Sequence, residues 1–336
     1  MKISANTLWL VAGALAIINV ALSAAMIKIN PESTSYFVPI ALILVSVSLI
    51  WFLMGGPGSF RVTGALLKRG MQVFASYKFQ IVFIVLNIFL MVVIYFIVGK
   101  PFVQIMMAGM AGALQNYGAT GYDFLTFILV GMIAWPMIWS GYGASSSGIR
   151  SEQVTGMFEI MIASKSGVKV LPFSYLILGI FGSITNTIVS IAVFTWLLGV
   201  KFNFGNPSAV LGLVAIILIS LFAMWGIGLI FGGLTAVYKQ LGPAGSMLQT
   251  IMMYFCGIYL PVTSLPQWIQ PLSYALPATY AFNAIRAGMI SGQGIMSYWK
   301  DATVLFAFCI AMVVVGYLVF NWCVNRARKF GTVHGY

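Results

Sequence analysis

The sequence predicts an all-α polytopic membrane protein, and three observations carry that reading. Of its 336 residues, 61% are hydrophobic and 7% are charged, where a soluble domain typically carries about a quarter charged residues. Mean hydropathy is +1.02. Eight stretches are apolar over the roughly 20 residues that a spanning helix needs. With so few charges the chain cannot cover a water-facing surface, and it is far too apolar for a disordered one.

The eight expected spans are residues 7–27, 36–54, 79–98, 123–143, 169–199, 208–237, 245–264 and 302–323. The first also has signal-peptide character, with Lys2 ahead of an apolar run and Ala21 and Ser23 as small residues near its end; it is read here as a retained helix. The fifth and sixth are longer than a straight crossing, so they tilt or project. Pro136 is expected to kink the fourth.

Lys and Arg number 17 against five acids, a net charge of +12. With both termini inside, twelve of the 17 bases fall on the cytoplasmic side, and the inverted arrangement reverses that bias. The positive-inside rule therefore predicts a multi-pass protein of the cell membrane with cytoplasmic termini. It also accounts for the basicity better than nucleic-acid binding does, since no basic stretch is interleaved with stacking aromatics.

Between the second and third spans, residues 60–78 are amphipathic. Arg61, Ala65, Lys68 and Gln72 share one helical face, with Arg69 beside them, while Leu67, Met71, Phe74 and Tyr77 fall near the other. Such a helix lies in the inner interface, its basic side toward lipid phosphates or a partner.

The loop at 144–168 carries a sharper pattern. Val154, Met157, Phe158, Met161 and Ile162 form one apolar stripe; Glu152, Gly156 and Glu159 line up on another face. Ser151 suits an N-cap, and Glu152 in the first turn complements the helix dipole. Two readings follow: a surface helix lying on the membrane, or a docking helix offering its carboxylates to a cytoplasmic protein.

Beyond the seventh span, Pro266, Pro271 and Pro277 punctuate an outer segment. Proline favours the first turn of a helix, so short helices are expected to start near Pro266 and Pro277. Trp268, Tyr274 and Tyr280 suit a membrane interface. The expectation is a re-entrant hairpin over 264–289 with Arg286 near its end, a cation that must reach the interface or a partner group.

Several chemistries are missing from the sequence. No nucleotide-binding GxxxxGK[ST] loop, GxSxG or HExxH occurs. Cys256, Cys309, Cys323 and His334 have no metal-ligand spacing, so no metal site and no catalytic residues are expected. No expected span has an acid at its centre, which disfavours ion-driven transport. Gly228-x-x-x-Gly232 permits close helix packing.

Two passages resemble the permease subunit of a type-2 ATP-binding-cassette transporter. Ser151 through Ser164, with Glu152, Gly156 and Glu159 matching, is similar to the family's coupling helix; Met157 stands where Thr or Ser is usual, and Lys165 near the customary Pro. Gly257 and Pro261, then Leu265-Pro266, Leu276-Pro277, Tyr280 and Arg286, are similar to its C-terminal ending with re-entrant outer helices. The resemblance covers about 60–325. It implies a six-helix permease domain over 60–336, made up of a connecting helix (60–78), a coupling helix (151–163) and an outer hairpin (264–289), with 1–59 adding two N-terminal helices. It further implies a second permease chain, identical or different, and a separate nucleotide-binding ATPase that holds the ATP and Mg; this chain holds no cofactor. The implied activity is export of a hydrophobic or amphipathic cargo such as a drug, lipid, peptide or glycan. The competing readings are an ion-coupled secondary exporter and a membrane anchor or regulator of an ATPase.

Overall fold

The computed structural model describes residues 58–76, 78–94, 124–163, 170–200, 207–238, 241–292 and 294–330, with positions 39, 168 and 202. All regular structure among the described residues is helical. In order, the helices are α1 (Gly58–Ser76), α2 (Lys78–Ile94), α3 (Phe124–Val154), α4 (Met157–Ala163), α5 (Val170–Leu198), α6 (Pro207–Tyr238), α7 (Gly242–Phe255), α8 (Gln270–Tyr274), α9 (Pro277–Ser291) and α10 (Trp299–Phe330). Short 3₁₀ turns at Val262–Ser264 and Ile295–Tyr298 precede α8 and α10.

Among the described residues, four helical stretches are long and apolar enough to cross a membrane: Thr126–Val154, Val170–Leu197, Pro207–Tyr238 and Ile295–Ala327. They realise the fourth, fifth, sixth and eighth expected spans. A helix of 32 residues such as α6 is about 48 Å long, well beyond a hydrocarbon core of about 30 Å. Apart from position 39, the first two expected spans lie outside the described residues. The third appears as α2, 17 residues long, its exposed Phe79, Phe83, Phe89 and Leu90 giving the apolar exterior that lipid favours.

The seventh expected span, 245–264, is not one helix. α7 has 14 residues, about 21 Å. It stops because Gly257 takes the left-handed conformation, φ +83°, and Pro261 follows in an extended one. α3, by contrast, runs unbroken through Pro136.

The core is built around α6, which packs most extensively on α3 and α10. Lipid removes the hydrophobic drive for one helix to seek another, so close backbone contact has to hold them. The sequence supplies it on both sides of α6. A side chain at Gly228 or Gly232 would strike the Tyr142 and Ser145 backbone of α3, and one at Gly226 the Met312 backbone of α10. The GxxxG pattern thus seats α3 inside the subunit. α5 covers the other side of α3, tied to α6 where Trp225 Nε1 donates to the Pro172 carbonyl at 3.2 Å. The three cysteines are buried free thiols in this packing.

Candidate functional site

Three features concentrate the polar chemistry: a charge cluster at the end of α3, a groove along its C-terminal half, and a buried arginine near its start.

The first is built on Glu152. It sits in the last turn of α3 and is 1% exposed, which corrects the expectation of a carboxylate offered outward. Its Oε1 accepts from Arg69 Nη1 of α1 at 3.2 Å and from the Tyr175 hydroxyl of α5. Local sequence makes this reachable. Gly148, one turn before Glu152, leaves room for the Tyr175 ring, and Gly70 lets α1 close on Leu178. A buried carboxylate is tolerated when a cation and hydrogen bonds compensate it, and here they come from two other helices.

Just past this cluster the chain breaks. The expected helix over 151–163 is two pieces, because Gly156 turns left-handed at φ +72°. Ser151 is therefore no N-cap; its hydroxyl donates back to the Gly148 carbonyl at 2.8 Å. The break also splits the apolar stripe. Phe158 is buried and Met161 packs against the core, but Val154 is 65% exposed, and so is Ile160, at 64%, which lies outside the expected stripe. Met157 is half-buried, and the side chains of Glu159 and Ile162 lie outside the described residues. In the connecting helix, found at 58–76 rather than 60–78, Lys68 is exposed and the side chain of Arg61 lies outside the described residues.

The groove, about 790 Å³, runs between α3, α6 and α7. Trp139, Tyr142 and Phe231 form one wall, Ser246 and Gln249 of α7 the other, and Arg150 stands near one end. The aromatic wall is ordered by stacking: Trp135 on Trp139 at 5.1 Å, Trp139 on Tyr142 at 4.4 Å, and Phe231 edge-on to Tyr142 at 5.4 Å between ring centroids.

At the other end of α3, Arg286 of α9 is 1% exposed, so it is no interfacial snorkel. Its Nη2 donates to the Ile258 carbonyl at 2.9 Å and its Nε to the Phe127 carbonyl at 3.2 Å. The guanidinium lies 3.6 Å from the Phe127 ring centroid. Gly131 is what admits it, since a Cβ there would come within 2.9 Å of Nη2 and 2.7 Å of the Ile258 carbonyl oxygen. Around this clamp the expected pair of short helices is present. α9 starts at Pro277 as predicted. α8 starts at Gln270, with Pro271 rather than Pro266 in its first turn, because Pro266 heads a preceding turn. Pro261 and Pro277 are buried. Trp268 is 80% exposed, and the Tyr280 hydroxyl donates to the Tyr274 carbonyl at 2.9 Å, joining the two helices.

Sequence reasoning missed Tyr175, Phe127 and the groove's Trp139 and Tyr142. Each sits in an apolar run where an aromatic carries no distinguishing pattern.

Comparison with known proteins agrees with the architecture. The model of the ABC-2 type transporter family matches residues 61–290. ABC transporter G family member 20 of Dictyostelium discoideum is 27% identical over 211 residues, 61% of this chain and 26% of that protein. Linearmycin resistance permease protein LnrN of Bacillus subtilis (strain 168) is 26% identical over 121 residues, 36% of this chain and 30% of the relative. The matched segments thus span less than a third of either relative. The family match begins at the connecting helix and takes in α3 to α9, ending at Ile290, short of the 325 expected from the resemblance. This chain belongs to the ABC-2 type transporter family, as a multi-pass membrane component that is not itself the catalytic part.

Proposed function

We propose that this chain is the permease subunit of an ATP-driven exporter, powered by a separate nucleotide-binding ATPase that seats on the segment from Val154 to Ile160. One observation carries the reading. At the break after α3, two large apolar side chains, Val154 and Ile160, are exposed beside a buried charge cluster that joins α1, α3 and α5. A push on α4 would reach three helices together through Glu152, Arg69 and Tyr175. Cargo would then move along the groove beside α3 and past the outer hairpin, between this chain and a second permease. A hydrophobic or amphipathic cargo suits the mixed wall of the groove. The six-helix core, the two additional N-terminal helices, cytoplasmic termini and residence in the cell membrane complete the proposal. ATP and Mg would be bound by the partner alone.

The test is co-purification with a co-expressed cassette ATPase in mild detergent. Ile160→Asp combined with Glu159→Lys should abolish ATPase capture and cargo-stimulated hydrolysis while leaving the thermal midpoint of the permease unchanged. Full capture and normal coupling in that variant would overturn the docking assignment. The ion-coupled reading has one observation in its favour, the buried carboxylate of Glu152; export that stops with a protonophore and continues without ATP would select it instead.

A further inference from the structure

We infer that the cavity enclosed by α1, the end of α3 and α5 holds the phosphoethanolamine headgroup of a membrane lipid, its ammonium on Glu152 and its phosphate on Arg69. This goes beyond the permease reading and does not depend on it, since the polar groups involved all come from this chain.

The cavity has a volume of about 200 Å³, and Leu66 of α1 and Leu178 of α5 supply apolar walls. Glu152 lines it as well. While Glu152 Oε1 takes the protons offered by Arg69 and Tyr175, its Oε2 is buried and has no hydrogen-bond partner among the described residues. A carboxylate oxygen withdrawn from water in this way is costly without a donor.

The neighbouring hydroxyls cannot be that donor. Ser151 donates to the Gly148 carbonyl at 2.8 Å, Thr155 to that of Glu152 at 3.2 Å, and Ser174 to that of Val170 at 2.9 Å. A hydroxyl has one proton, so toward the cavity these three offer lone pairs. A primary ammonium brings three N–H groups in charge-assisted form, which is what such a ring of acceptors takes.

Charge balance then selects a zwitterion. Arg69 and Glu152 are the charged residues lining the cavity among those described, and they neutralise each other. A lone ammonium would leave a net positive charge in a mostly enclosed site, whereas an ammonium joined to a phosphate leaves none. Arg69 is 48% exposed and donates through Nη1 to Glu152; a guanidinium has further N–H groups for a phosphate. The lipid source follows from the surroundings. Met71, next to Gly70 on α1, and Phe181, one turn beyond Leu178 on α5, are each 55% exposed, giving acyl chains an apolar surface beside the polar cavity.

The probes are phosphatidylethanolamine, its N-methyl and N,N-dimethyl derivatives, and phosphatidylcholine, all with the same acyl chains. Net charge stays constant along the series while the N–H donors fall from three to none. Each is titrated into the delipidated full chain in detergent and its binding read by native mass spectrometry. Affinity should fall stepwise, by about tenfold from first to last. Glu152→Gln keeps the side chain's shape without its charge and should bind all four lipids alike. Soluble phosphoethanolamine should displace the lipid only at about a hundredfold higher concentration, since it lacks the apolar chains. Equal binding of the first and last lipids by the wild type would mean that water satisfies Oε2, and would overturn the headgroup site without recourse to any variant. A preference that persists in Glu152→Gln would overturn the assignment to this cavity. Soluble phosphoethanolamine as potent as the lipid would overturn the membrane source.

Discussion

The two ends of α3 each engage a buried ionised side chain, and they neutralise it by opposite means. At the C-terminal end Glu152 meets a cation and a hydroxyl brought by α1 and α5. Near the N-terminal end Arg286 meets the carbonyls of Phe127 and Ile258 and the Phe127 ring. The first arrangement has one partner, Arg69, that is 48% exposed, so water can solvate it if the contact opens. The second is made of backbone, with the guanidinium enclosed on all sides. Buried charges can thus be used as a releasable joint or as a fixed pin. The difference lies in whether a compensating group is a solvated side chain or main chain.

The largest effect should come from removing the pin. Arg286→Met takes away two charge-assisted hydrogen bonds and the ring contact, a loss of about 3–5 kcal/mol. Arg286→Lys should recover only part of it, because an ammonium cannot fork to two carbonyls and stack at once. Thermal unfolding in detergent measures both. A Met variant as stable as wild type would mean that the clamp is no clamp, and the contrast between the two ends would collapse.

At the joint, the comparison predicts an asymmetry that exposure alone would get backwards. Arg69 is the more exposed member, yet its removal leaves a buried carboxylate without its cation, whereas removing the charge of Glu152 leaves only a solvated arginine. Arg69→Met should therefore cost about 3 kcal/mol, and Glu152→Gln nearer 1, since the glutamine still accepts from Tyr175. Equal losses would refute the asymmetry, and losses that are both equal and well under 1 kcal/mol would make the pair a surface ion pair of little weight.

How much of this was legible in the sequence follows the range of the interaction. The connecting helix was read at 60–78 and lies at 58–76, because an amphipathic pattern is local. Pro277 announces the start of α9 for the same reason. The GxxxG of α6 says that something comes close, though not that α3 does. The pairing of Glu152 with Arg69 spans 83 positions, and that of Arg286 with Phe127 spans 159. A periodic pattern reveals which face a residue occupies and is silent on which helix will cover that face. Glu152 therefore read as an outward acid, when the covering helix carries the arginine that buries it. The end of α7 was missed differently: the apolar run continues through Cys256 to Leu260, and only Gly257 and Pro261 signal that the helix does not.

The smallest effect tests whether the joint is cooperative. Tyr175→Phe removes one hydroxyl and keeps the ring against Gly148, so alone it should cost about 1 kcal/mol. Its hydroxyl and Arg69 share a single acceptor, Glu152 Oε1. With either donor gone, the other carries the whole compensation of the buried carboxylate, so losing both should hurt more than the sum of the separate losses. The double variant Tyr175→Phe with Arg69→Met should then exceed additivity by roughly 0.5–1 kcal/mol in a double-mutant cycle. Additivity within the error of the unfolding measurement would mean that α1 and α5 hold α3 independently. A push on α4 would then have no reason to reach both helices through Glu152, and the two ends of α3 would differ in strength without differing in kind.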